Sequence, residues 1–161
     1  MSEELFPSGG SPIVLQLGIG PGAVKNINAA GGENRVFWDE ITADHNSAGV
    51  LSMGTNVINV DASGYRLKLH ANVHVAGAAS RFNGRLQIKK NGTNFLKSAS
   101  ASMYIRNTSG HTESSGTITL WDDGVSTAGD YYEVFITRET TITTTVNTVV
   151  NGSAFWIEAY G

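Results

Sequence analysis

From residue 35 onward, apolar and polar side chains alternate with the period of a β-strand. The clearest run is YRLKLHANVHVA: Tyr65, Leu67, Leu69, Ala71, Val73 and Val75 fall on one face, and Arg66, Lys68, His70, Asn72 and His74 on the other. Such alternation predicts one long strand with a dry face and a wet one. Shorter strands are predicted at 35–42, 55–60, 85–90, 102–106, 117–121, 131–138 and 154–160. Between them stand turn signals such as Ser63-Gly64, Asn91-Gly92, Ser109-Gly110, Asp123-Gly124, Gly129-Asp130 and Asn151-Gly152. Asn91-Gly92 is the strongest of these, because both residues accept positive φ and suit a tight hairpin. The threonine-rich tract TRETTITTTVNTVV reads as an exposed strand or long hairpin. About eight strands with no helix longer than a turn or two predict an all-β antiparallel sandwich or barrel.

Two strands break the alternation. YYEVFI (131–136) and FWIEAY (155–160) carry large apolar groups on both faces, so both faces call for a cover. Phe135, Trp156, Tyr160 and Tyr131 are therefore the candidate residues of an interface between copies. A ring dried only on assembly would remove at least ~150 Å² from water, roughly 4 kcal/mol gross.

Ahead of residue 35 the pattern changes. All three prolines, Pro7, Pro12 and Pro21, lie here, with a high density of glycine up to Gly32. The stretch IVLQLGIGPGAV fits the spacing G-x-G-x-x-A through Gly18, Gly20 and Ala23. A dinucleotide site would need that turn to feed a helix and a second parallel strand, and the following AVKNINAAGG supplies neither. Residues 1–34 read instead as an extended arm joined to a domain at 35–161, with Leu5, Phe6, Ile13, Val14, Leu15, Leu17 and Ile19 as its gripping side chains. Fully extended, such an arm reaches on the order of 110 Å.

Composition narrows the chemistry. The 161 residues include no cysteine, which removes disulfides, thiolate metal sites and thiol nucleophiles together. The N-terminus lacks the basic head and apolar run of a secretory signal, and no segment is apolar enough for a membrane-spanning helix. The net charge of -3 hides a segregation: residues 62–112 hold eight Lys or Arg and no acid, and residues 113–161 hold seven acids and one base, Arg138. The expectation is that basic and acidic strands meet as antiparallel neighbours or across subunits. Nucleic acid is set aside for want of stacking aromatics along an open groove. His70 and His74 stand about 13 Å apart along a strand, too far for one ion's ligand shell within a chain. Asp122, Asp123 and Asp130 could offer oxygens to a cation, but their spacing matches no calcium loop and Asp-Gly is first a turn signal. No nucleophile stands beside a base in a motif, so the reading is non-enzymatic, with no cofactor and no metal.

The order of short motifs adds a resemblance. Val36-Phe37-Trp38-Asp39, Gly64-Tyr65, Leu86 to Thr93 ending in Asn-Gly-Thr, Gly129-Asp130-Tyr131, and Ser153, Phe155 and Ile157 near the C-terminus resemble the C1q/TNF-like jelly roll over residues 35–161. The resemblance implies a ten-stranded jelly roll associating as a tight trimer. With a glycine-rich leading arm in place of a collagen-like tract, the chain looks like the phage virion proteins that borrow this fold. The expected function is a homotrimeric capsid decoration (cement) protein on the outer capsid surface of the virion, its arm binding the major capsid protein. The alternative is a carbohydrate- or receptor-binding tip of a tail fibre or tailspike, with specificity in loops 43–54, 107–116 and 122–130.

Overall fold

The computed structural model describes residues 10–77, 81–96, 100–106 and 110–161. Its strands are β1 (Ile13–Gly18), β2 (Glu33–Arg35), β3 (Glu40–His45), β4 (Leu51–Gly54), β5 (Val57–Val60), β6 (Arg66–Ala76), β7 (Phe82–Lys90), β8 (Asn94–Phe95), β9 (Ala101–Ile105), β10 (Glu113–Trp121), β11 (Tyr131–Arg138), β12 (Asn147–Thr148) and β13 (Ala154–Tyr160). One sheet, here sheet A, runs β10-β6-β13-β1-β3, with β12 also on β6. Sheet B runs β4-β5-β11-β7-β8, with β2 also on β11 and β9 on β7. Every pairing is antiparallel, and the two sheets close face to face over a single core.

Alternation decides which side chains enter that core. Leu67, Leu69, Ala71, Val73 and Val75 of β6 are at most 1% exposed, and from sheet B they meet Leu86 and Ile88 of β7 and Tyr132, Val134 and Ile136 of β11, all at 0%. A one-residue slip of β6 would put Arg66, Lys68 and its two histidines into this layer, so burial pins the register. Close packing also explains a glycine inside a strand. A Cβ on Gly84 would lie 2.3 Å from the Phe82 ring and 3.0 Å from Ile136, so only a hydrogen fits beneath that ring. At the Asn91-Gly92 turn both residues adopt positive φ, 53° and 69°, as the hairpin signal predicts.

The extent of the leading arm is corrected by β1. Residues 13–18 lie inside sheet A between β13 and β3, with Leu15 opposite Ile157 and Leu17 opposite Phe155. Leu15, Leu17 and Ile19 are 1%, 0% and 1% exposed, and Ile27 further on is 0% exposed. These residues are core, and the segment ahead of the sandwich ends near residue 12 instead of 34. The prolines and glycines that suggested an arm shape a turn: Pro21–Ala23 form one 3-10 turn, and Gly20 donates its N–H to Asp39 Oδ1. The Asp39 and Glu40 carboxylates fill the space a Cβ on Gly20 would need, which closes the phosphate-cradle reading of this motif. Leu5 and Phe6 lie outside the described residues.

Two further expectations change. The single strand predicted at 35–42 is two: β2 belongs to sheet B and β3 to sheet A. Val36 and Trp38 are buried at the crossing, where Trp38 meets Phe155 at 5.8 Å between ring centres. The threonine tract forms no long strand; beyond Arg138 the chain crosses the end of the sandwich irregularly until β12. Asn28 holds it there, donating from Nδ2 to the carbonyls of Ile142 and Thr144.

Candidate assembly surface

The outer face of sheet A is built by the polar-facing positions of β6, β10 and β13. Register sets Trp156 opposite His70 and Glu158 opposite Lys68. It also sets His70 opposite Thr119, and Lys68 opposite Trp121. The Trp156 indole stacks flat on the His70 imidazole, 4.5 Å between centres and 5° between planes. His70 is 8% exposed, its Nδ1 3.0 Å from Thr119 Oγ1 and its Nε2 3.2 Å from Glu158 Oε2. The Tyr160 hydroxyl donates to the same Glu158 oxygen at 3.1 Å, and its ring leans on Trp121 at 5.4 Å. Burial first, then the Glu158 charge, raises the Tyr160 pKa, so this phenol stays a neutral donor. Arg66 and Lys68 place their charges 5.6 and 5.8 Å from the Trp121 ring centre. Three large aromatics thus form one half-buried patch rimmed by cations, with His74 bonded to Glu113 at 3.0 Å further along.

Phe135 and Tyr131 stand elsewhere. They occupy the outer face of sheet B, so the four residues expected in one interface divide between opposite faces of the sandwich, Trp156 and Tyr160 on one and Phe135 and Tyr131 on the other. Phe135 already has a cover: the Lys89 ammonium sits 4.7 Å above its ring. Around it Lys89 pairs with Glu33 at 2.8 Å and Arg35 with the buried Glu133 at 2.8 Å. Lys25 lies 4.0 Å over Phe37. Burial, with the Arg35 charge behind it, lowers the Lys25 pKa. The area expected on assembly shrinks too. Trp156 and Tyr160 are half-buried within one chain, leaving less than half of the ~150–250 Å² of such a ring, about 2–3 kcal/mol apiece at most.

Asp122 and Asp130, weighed from sequence as oxygen ligands, both converge on an ammonium. Lys90 Nζ lies 2.7 Å from Asp122 Oδ2 and 3.4 Å from Asp130 Oδ2. The buried Tyr132 donates its hydroxyl to the same Asp122 oxygen, and Asn91 Nδ2 donates to Asp130 Oδ1 at 2.9 Å. Burial works to lower the Lys90 pKa, but its bonds to Asp122 and Asp130 outweigh that and the net is a rise. Burial works to raise Asp130, and the bonds from Asn91, Thr127 and Lys90 carry it below its ordinary value. Burial first, then Asp122, raises Tyr132 far above a normal phenol. The cluster ties the Asn91-Gly92 hairpin to the β10–β11 loop, so it fixes loop 122–130 in place. Among the described residues, no group of three His, Asp or Glu side chains is placed to hold a metal ion, and no helix is long and apolar enough to cross a membrane.

The segregated charge of the sequence is met inside the fold only in part. Arg85 of β7 pairs with Glu139 just beyond β11, and Lys90 with Asp122 and Asp130, whereas Arg66, Lys68, Arg81 and Arg106 make no ion pair among the described residues. Sequence reasoning did not single out Trp121, and it left His70 on a wet face instead of under the Trp156 ring. The missing signal was register, which sets Trp121 and Tyr160 on strands flanking β6.

With this topology in hand, comparison with known proteins is informative at the level of structure alone. Neither protein-family models nor curated protein sequences match the chain. Among solved structures it is similar to murine APRIL, with a TM-score of 0.60 at 14% identity over 91% of this chain and 97% of that one. It is also similar to Eiger TNF from S. frugiperda, with a TM-score of 0.63 at 10% identity over 94% of each chain. The fold is a C1q/TNF-like jelly roll.

Proposed function

We propose that this chain is a non-enzymatic structural module that assembles as a homotrimer through the outer face of sheet A. The observation that carries the reading is the Trp121, Trp156 and Tyr160 patch: three large rings gathered on one sheet face and left partly wet by the single chain. The jelly-roll fold supports it, and so does the pairing of His70, Glu158 and the Tyr160 hydroxyl within the chain, which leaves the rings themselves as the sticky element. Mass in solution tests it: a folded monomer at micromolar concentration removes the trimer.

In its finer form the proposal is a decoration protein on the outer surface of a bacteriophage capsid, bound through its N-terminal segment to the major capsid protein. The core role of β1 confines that segment to about residues 1–12, with Leu5 and Phe6 as its apolar anchors and a reach of at most about 40 Å. Three such segments per trimer raise the effective concentration of each contact, so individually weak grips sum to firm attachment. Deleting residues 1–9 should leave the trimer intact and abolish co-sedimentation with undecorated shells; undiminished decoration by that truncation would refute the attachment mode.

A further inference from the structure

Apart from Arg66, which lies over the Trp121 ring, three guanidinium groups stand outside the ion pairs of the described residues: Arg81, Arg106 and Arg138. The topology brings them to one end of sheet B. Phe82 pairs with Ile105, which sets Arg81 and Arg106 at adjoining strand ends, and Arg138 opposes Gly84 on the other side of β7. Nε and Nη1 of Arg138 are shielded from water without an acceptor, and Thr140 Oγ1 is likewise shielded without a partner. Buried polar atoms of this kind ordinarily have a partner, so hydrogen-bonding capacity is left over at this end of the sandwich.

Here a groove of about 350 Å³ opens between β7, β9 and the segment after β11, lined by Arg81, Asn83, Tyr104, Glu139, Thr140 and Ile142. Tyr104 and Ile142 are 39% and 49% exposed, two of the few large apolar side chains that the described fold leaves in water. Tyr104 is braced at its backbone by Ser114 Oγ and at its ring by His111, so the ring is a positioned platform. The Glu139 carboxylate is occupied by Arg85, which leaves the groove's charge positive.

We propose that this groove binds a carboxylated pyranose, a uronate-type sugar. The apolar face of one sugar ring covers Tyr104 beside Ile142, the carboxylate meets Arg81, and a ring hydroxyl engages the Asn83 amide. A single-stranded nucleic acid needs successive rings on which to stack, and the groove offers one. The site lies at the end of sheet B, away from the sheet A patch, and stands independently of the assembly proposal.

The test is a calorimetric and NMR titration of the full chain with methyl glucuronide and with methyl glucoside, which differ only in the carboxylate. The glucuronide should bind with a Kd of about a millimolar, and the glucoside at least tenfold more weakly. Tyr104→Ala should weaken the glucuronide about tenfold, and Arg81→Gln should bring it down to the level of the glucoside. Both positions are exposed, so the variants should melt like the parent. Equal binding of the two sugars, no binding of either, or an unchanged isotherm for Tyr104→Ala would overturn the proposal. Inorganic phosphate displacing the sugar at equal concentration would reduce the site to a bare anion contact, and tighter capture of a thymidine oligonucleotide would assign it to nucleic acid; either outcome overturns the sugar.

Discussion

Deleting residues 1–34 should unfold this protein. The cut removes β1 from the middle of sheet A and takes with it Leu15, Leu17, Ile19 and Ile27, none more than 1% exposed. At about 1.5–3 kcal/mol for each fully buried aliphatic side chain, the loss is roughly 6–12 kcal/mol, as large as the whole stability of an ordinary domain. It would also bare the inner flank of β13, where Phe155 and Ile157 now face Leu17 and Leu15 across the ladder. Far-UV circular dichroism during a urea titration reads the outcome: the parent and a deletion of residues 1–9 should show one cooperative transition with similar midpoints, and the longer deletion should show none. The single substitution Leu17→Ala should cost about 2–5 kcal/mol by the same assay. A cooperatively folding 35–161 fragment would refute the placement of β1 in the core.

Other consequences follow from individual sites. Lys90→Met strands Asp122 and Asp130 without their cation, and urea unfolding at neutral pH should show a loss of about 2–3 kcal/mol. The parent's own stability should fall on both sides of neutrality in thermal melts. Asp130 sits below its ordinary pKa, so its contribution is present above about pH 4 and is lost as the pH drops through the folded value. Lys90 and Tyr132 are raised, so theirs is complete below about pH 10 and is lost as the pH climbs through the folded values. Gly84→Ala drives a methyl into the Phe82 ring and should cost about 1–3 kcal/mol, read as a lowered Tm.

How much of this was legible depends on where each signal lived. The long strand β6 stood out because its alternation runs unbroken, and the Asn91-Gly92 hairpin because only such residues settle at φ of 53° and 69°. The strand β1 was hidden, since its short alternation Ile13, Leu15, Leu17 is framed by Pro12 and Gly18, punctuation that also marks extended arms. The joint between β2 and β3 was lost because Val36, Phe37 and Trp38 are apolar on both faces, which reads as a continuous strand while the chain is in fact changing sheets. Sites were less legible still. Lys90, Asp122 and Asp130 are far apart in the chain, and Trp121 meets Tyr160 only across β6; such juxtapositions depend on register and strand order, which composition and spacing do not carry. Phe135 read as an interface ring because Lys89, its cover, belongs to a different strand.

Assembly through the sheet A patch is the claim on which the functional reading turns, and light scattering coupled to size exclusion measures it directly. At micromolar concentration the full chain should weigh three times its 17.1 kDa, and a Trp121→Ser, Trp156→Ser double variant should elute as a folded 17.1 kDa species. A parent chain that already runs as a monomer, or a double variant that keeps the trimer mass, would contradict the account.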